Sequence, residues 1–453
     1  MLEAMELAFG MLALIFGVYC IWYEIGGILE NRRITVGNLF LLMYGVTYGV
    51  ILALILFLDS CFGYQVTGIR YGIDYTGRGI LYLFVWFLFA VAGYGMVRFG
   101  SRITLRKKKE NAPRFPDRDA PAAFQWTAVI CLVVGGVCFY LWARGWGGIR
   151  NLILNAASIR NGSYAGKNSM AYFAKPAQVV TAVSVMCILL CQRGYHRGWN
   201  GVLAVLSVGL SLLYLLAKDG RMGMAMYILV VLFVLLGLFE KNEHVLRKFR
   251  TLIPLFLLFV FVVLTMNSVT YFIRNGHFRQ DSTGSVGDTV LKELMYIYAS
   301  GQAAVKQLLT SRSPLLIFHD LGKALFAWVP SALTPNGLVD IWKYNTQLVG
   351  GSAVKFQIPC DLITTSLYDL GMLGPILIPA FWGKVITWLE ERHQAHGGMM
   401  SQTLYYASSM QLVRLVNYCC LHYSVAAVFH LALAWGVYRL LCRRKSGGVE
   451  EPQ

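Results

Sequence analysis

A chain of 453 residues that is 57% hydrophobic and only 14% charged falls well short of the quarter of charged residues common in soluble domains. Composition therefore excludes a mainly water-solvated globular protein. A formal net charge of +17 points, in so apolar a chain, to anionic lipid or an anionic lipid-linked substrate as partner, not nucleic acid.

A bilayer-crossing helix needs roughly 20 mostly apolar residues. In chain order the candidates are 6–23, 39–58, 79–99, 124–142, 177–192, 200–217, 223–239, 252–270, 365–389, 401–416 and 420–441. The fold expected is an all-α polytopic membrane protein with about 11 transmembrane helices, forming one integral membrane domain over residues 1–453. The first span lacks the basic leader and small-residue cleavage site of a signal peptide and reads as retained. Gly45 and Gly49 in the second span suit a close helix contact. The tenth carries Gln402, Ser408, Ser409, Gln411 and Arg414, so it must face protein or a wet cavity. Ten cysteines include no CxxC spacing, and most lie within apolar segments as small hydrophobes.

Lys and Arg in short loops set the orientation. The basic loop 100–123, with Arg102, Arg106, Lys107, Lys108 and Lys109, belongs inside. Alternation from there places the amino terminus outside and the carboxyl terminus inside. It also places an outer loop at 143–176 and a large outer loop at 271–360, which should contain short helices. The outer segments are nonetheless rich in cations, among them Arg150, Lys175, Lys218, Arg221, Arg274, Arg279 and Arg414. Positive charge kept on that side suggests an anionic ligand.

Within the first outer loop, Asn151–Arg160 is amphipathic and predicts an interfacial helix; Arg150 and Arg160 stand ready for anions. Lys218-Asp219-Gly220-Arg221 then joins two apolar segments with almost no loop. A helix should break there and another begin, offering free N–H groups beside the Arg221 guanidinium. Past the eighth span, Arg274, His277, Arg279 and Asp281 crowd into eight residues. The arginines suit phosphate, and His277 or Asp281 could take a proton from a hydroxyl. His319 and Asp320 are further base candidates on chemistry alone. Asp117-Arg118-Asp119 and the His393/His396 pair have no supporting pattern for a metal, and no nucleotide-binding or hydrolase motif is present.

The layout resembles the bacterial oligosaccharide repeat-unit polymerases, the Wzy-type enzymes of O-antigen, common-antigen and capsule assembly. The stretches that carry the resemblance are Lys218–Gly223 between two close spans, Tyr296–Gly301 in the insert, Trp328–Ser331 with Pro335-Asn336, and Ile363–Gly374 with its Gly371-x-x-Gly374 opening a span. The resemblance implies a metal-independent glycosyltransferase without cofactor at the outer face of the bacterial cytoplasmic membrane. Its substrate would be an undecaprenyl-pyrophosphate-linked oligosaccharide, and a chain-length regulator protein would be a possible partner. It implies Arg221 as the pyrophosphate ligand, with Lys218, Arg274, Arg279 and Arg150 beside it and Tyr298 and Tyr368 toward the substrate. Two rival readings are an O-antigen ligase, which shares the donor, and a non-enzymatic flippase or transporter. The absence of internal repeats and of midplane ionisable clusters counts against the transporter.

Overall fold

The structure, a computed structural model, describes residues 2–65, 72–103, 120–160, 164, 168–218, 221–240, 254, 286–310, 315–330, 333–335, 337–351 and 357–446. Among these residues it is all-helical, without a β-strand. The helices are α1 (Leu2–Asn31), α2 (Val36–Phe62), α3 (Gly77–Arg102), α4 (Pro121–Arg144), α5 (Ile149–Leu154), α6 (Ala156–Arg160), α7 (Ala171–Gln192) and α8 (Arg197–Ala217). They continue as α9 (Arg221–Leu235), α10 (Val286–Thr310), α11 (Ile317–Leu325), α12 (Ile341–Gly350), α13 (Leu362–Leu370), α14 (Gly374–His396), α15 (Met399–Arg414) and α16 (Leu421–Ser446). Eight are long and apolar enough to cross a membrane, with α13 and α14 together forming one crossing. The chain is thus a polytopic helical membrane protein. Helix α9 is a shorter apolar helix, α15 is a helix of 16 residues, and of residues 252–270 only Pro254 is described.

Local chemistry explains the element ends. Thr35 starts α2 with a capping box: its hydroxyl accepts from Asn38 N at 3.1 Å, and Asn38 Oδ1 accepts from Thr35 N at 3.2 Å. Halfway along, Val46–Ile51 winds as a π-helix. There α1 and α2 touch backbone to backbone, since a Cβ on Gly49 would lie 2.3 Å from Gly17 Cα. The amphipathic stretch of the first outer loop divides into α5 and α6, one break earlier than its sequence suggests. The Asn155 side chain donates to Asn151 O at 3.0 Å and to Asn151 Oδ1 at 2.7 Å, competing locally with the helix. The polar residues of α15 do face protein: Ser408, Ser409 and Gln411 are buried.

The insert after the eighth candidate span departs most from expectation. Its helix α10 has 25 residues, and its middle is buried from Met295 to Ala299, with Ser300 and Val305 fully enclosed. Tyr298 donates its hydroxyl to Thr47 O at 2.7 Å. Gln302 bridges Asp74 N, Asp74 O and Gly79 O at 2.8–2.9 Å. Gly301 lies flat on Trp86, nine residues into α3 and so about 14 Å from its start at 1.5 Å per residue. An essential part of the polar insert is therefore a wall of the bundle rather than a cover above it. Burying α10 is possible because one face carries Tyr, Ile, Ala and Gly, while Tyr296, Tyr298 and Gln302 find backbone partners and Ser300 accepts from the Asn345 amide.

Candidate functional site

Three cations converge at one end of the bundle. Lys175 opens α7, Lys218 caps the end of α8, and Arg414 is the last residue of α15; Lys218 feels the charge of both others. Tyr214 explains part of this meeting. Its hydroxyl donates to Ala174 O at 2.8 Å, tying the residue before Lys175 to α8 one turn before Lys218. The Lys218 ammonium then sits 5.2 Å from the Tyr214 ring centroid. Arg414 lies 5.7 Å from the ring of Tyr418. Tyr418 packs at 5.5 Å on Tyr296 of α10, whose hydroxyl donates to Asn417 O at 3.0 Å. Lys175 itself sits 5.3 Å from the ring of Tyr172, so each cation has an aromatic ring within one turn of it.

Lys218 retains exposed surface, yet protein surrounds it densely enough that burial, followed by the charges of Arg414 and Lys175, pushes its ammonium down to about 8. Among the described residues no carboxylate pairs with any of the three cations. Lys175 spends part of its donor capacity on carbonyls, giving bonds to Ala327 O at 2.8 Å and Val329 O at 3.4 Å. Like charges held together without a carboxylate partner repel one another, and an anion relieves that repulsion.

Those carbonyls belong to the turn after α11, which leads to a second group. Asp320 is 2% exposed. Its oxygens accept from Leu421 N at 2.9 Å, His422 N at 3.3 Å and Cys420 Sγ at 3.3 Å. It therefore secures the first turn of α16, as acidic groups at helix N-termini do. Burial pushes its carboxyl up, and these donors oppose the rise. Asp369, at the end of α13, stands close enough to Asp320 to interact electrostatically. It is 3% exposed, and its Oδ1 is buried without a hydrogen-bond partner among the described residues. A carboxyl with an unused oxygen beside a second carboxyl is suited to holding or passing a proton. Gly371 allows this corner: α13 ends at Leu370, Gly371 takes φ 58°, and α14 begins at Gly374.

The remaining sequence candidates fall as follows. Arg221 opens α9, as the short break predicts; Asp219 and Gly220 lie outside the described residues. Arg150 is exposed on α5. His319 accepts from Val339 N at 3.3 Å through Nδ1, fixing α11 to the segment before α12. Tyr298 and Tyr368 are fully enclosed framework residues; Tyr368 donates to Asn345 Oδ1 at 2.9 Å. Arg274, His277, Arg279 and Asp281 lie outside the described residues. Reading by chemistry overlooked Asp369, although it stands inside the stretch Ile363–Gly374, where an acid between two apolar segments was its only signal. No group of three or more His, Cys, Asp or Glu side chains is placed to hold a metal among the described residues. No family model matches the chain, and neither a curated protein nor a solved structure matches it.

Proposed function

We propose that this chain is a glycosyltransferase that polymerises undecaprenyl-pyrophosphate-linked oligosaccharide repeat units at the outer face of the bacterial cytoplasmic membrane. In this reading all eleven segments cross, the amino terminus is outside, and the carboxyl terminus is inside. The observation that carries it is the convergence of Lys175, Lys218 and Arg414 without a carboxylate partner. A pyrophosphate leaving group needs positive charge that is already in place when negative charge develops on it. Arg221, opening the adjoining α9, would join that seat. The attacking sugar hydroxyl must lose a proton. Asp369 suits this better than Asp320, because the oxygens of Asp320 are occupied by the amides of α16.

Deleting the gene and sizing the surface glycan tests the reading. A polymerase deletion leaves single repeat units attached; a ligase deletion leaves none attached; a flippase deletion traps lipid-linked units inside. Arg414→Gln in a normally expressed and inserted protein should reproduce the polymerase pattern. An unchanged chain-length distribution after deletion refutes the proposal.

A further inference from the structure

At the other end of the same helices lies a groove that the proposed reaction does not use. Its cavity of about 480 Å³ runs between α14, α15 and α16, within the range of roughly 300–1,000 Å³ typical of small-molecule sites. Its floor includes Leu404 of α15, and its long wall is the stripe of α16 from Val428 to Cys442. Fourteen residues at 1.5 Å each make that stripe about 21 Å long, more than the roughly 15 Å of hydrocarbon in one leaflet.

The starts of α13 and α16 are joined by Cys419 N donating to Cys360 O at 2.7 Å, so α14 and α16 run in the same direction. Each carries the same device near its far end. Arg392 lies 5.5 Å from the ring centroid of Trp388, and Arg439 lies 4.8 Å from that of Trp435. Both tryptophans are substantially exposed, at 45% and 40%, and all four side chains line the cavity. Tryptophan favours the level of lipid headgroups, and guanidinium groups bind phosphate through paired donors. The groove is thus apolar along its length and cationic at one end, and it opens where headgroups meet the bundle.

We propose that this groove seats one anionic glycerophospholipid from the leaflet that meets the carboxyl-terminal ends of α14 and α16. Arg392 and Arg439 hold its phosphate, and one acyl chain lies along the stripe from Trp435 to Val428. Basic pockets between transmembrane helices recognise anionic headgroups in this manner. The far end of the groove reaches Trp328, in the turn whose carbonyls hold Lys175, but the two arginines lie at the opposite end of α16, so the headgroup seat stands whether or not the Lys175–Lys218–Arg414 cluster binds pyrophosphate.

The test titrates the purified full-length protein, in a neutral detergent, with phosphatidylglycerol or phosphatidylcholine of identical acyl chains. Bound lipid is read by native mass spectrometry. Phosphatidylglycerol should bind at least about tenfold more tightly. The double variant Arg392→Gln/Arg439→Gln should lose that preference while its phosphatidylcholine binding is unchanged. Ala432→Phe, which fills the groove and leaves both arginines, should weaken phosphatidylglycerol binding by a similar factor. Equal affinity for the two lipids in the wild type overturns the proposal. So does a preference that survives the double variant, or wild-type binding by Ala432→Phe.

Discussion

Asp361 offers the sharpest test of how the polar interior holds α13 in place. The side chain is 0% exposed. Its Oδ1 accepts from Ile363 N at 2.9 Å, Thr364 N at 3.0 Å and the Tyr48 hydroxyl at 2.9 Å, while Oδ2 takes the Thr364 hydroxyl. In Asp361→Ala the Tyr48 hydroxyl keeps Val416 O at 3.0 Å, but two buried amides and the Thr364 hydroxyl lose their acceptor. Cap loss of about 1 kcal/mol, together with about 1–3 kcal/mol for buried donors left unpaired, predicts a total loss of roughly 2–4 kcal/mol. Asp361→Asn retains one oxygen for the amides and should lose only about 1 kcal/mol at pH 5.

The pH dependence is the stricter part. Burial raises the Asp361 carboxyl from 3.8 to about 6. Between those values the folded protein holds a proton that the unfolded chain has released, so stability falls as pH rises. The full loss is roughly 3 kcal/mol at about 1.36 kcal/mol per pH unit. About half of it falls between pH 5 and 7.5. Asparagine has no such proton, so its deficit of about 1 kcal/mol at pH 5 should vanish and turn into an advantage of about 0.5 kcal/mol by pH 7.5. Thermal unfolding in one detergent, followed by the emission of the 11 tryptophans, measures both effects. An alanine variant as stable as the asparagine variant, or a wild-type-to-asparagine gap that stays constant or widens with pH, refutes the reasoning.

Two further outcomes follow from packing and charge. Lys218, pushed down to about 8 by burial and then by Arg414 and Lys175, should be acylated by amine reagents with a midpoint near that pH. The midpoint should rise in Arg414→Gln, and binding of inorganic pyrophosphate should weaken as pH climbs through about 8; an ordinary lysine midpoint in the wild type contradicts this. Gly301→Ala would put a methyl 2.6 Å from the Trp86 ring. Overpacking of about 1–3 kcal/mol should outweigh a helix-propensity gain of about 1 kcal/mol, so a raised melting temperature would count against the α10–α3 packing described above.

The crossing helices were legible because hydropathy and helix length are local properties. The Gly45/Gly49 pair and the polar side chains of α15 could each be read from a few adjacent letters. The site was less legible because its parts come from distant segments. Lys218 stood out at the short break, but Lys175 and Arg414 appear in sequence only as scattered outer cations; the Tyr214–Ala174 hydrogen bond brings Lys175 to the end of α8, where Lys218 also feels the charge of Arg414. Asp320 looked like a free acid because the amides it caps lie about a hundred residues further along. The burial of α10 was hidden for a related reason: its Tyr, Ser and Gln read as solvent-loving until backbone acceptors on α2 and α3 are supplied.

That burial bears on how the protein is made. When α2 and α3 leave the ribosome, the slot for α10 is still empty. Thr47 O, the Trp86 ring and the Asp74–Gly79 backbone groups must remain unfilled until more than two hundred further residues have been synthesised. The first helices of this chain therefore enter the membrane as an incomplete shell, and a helix delivered much later completes it.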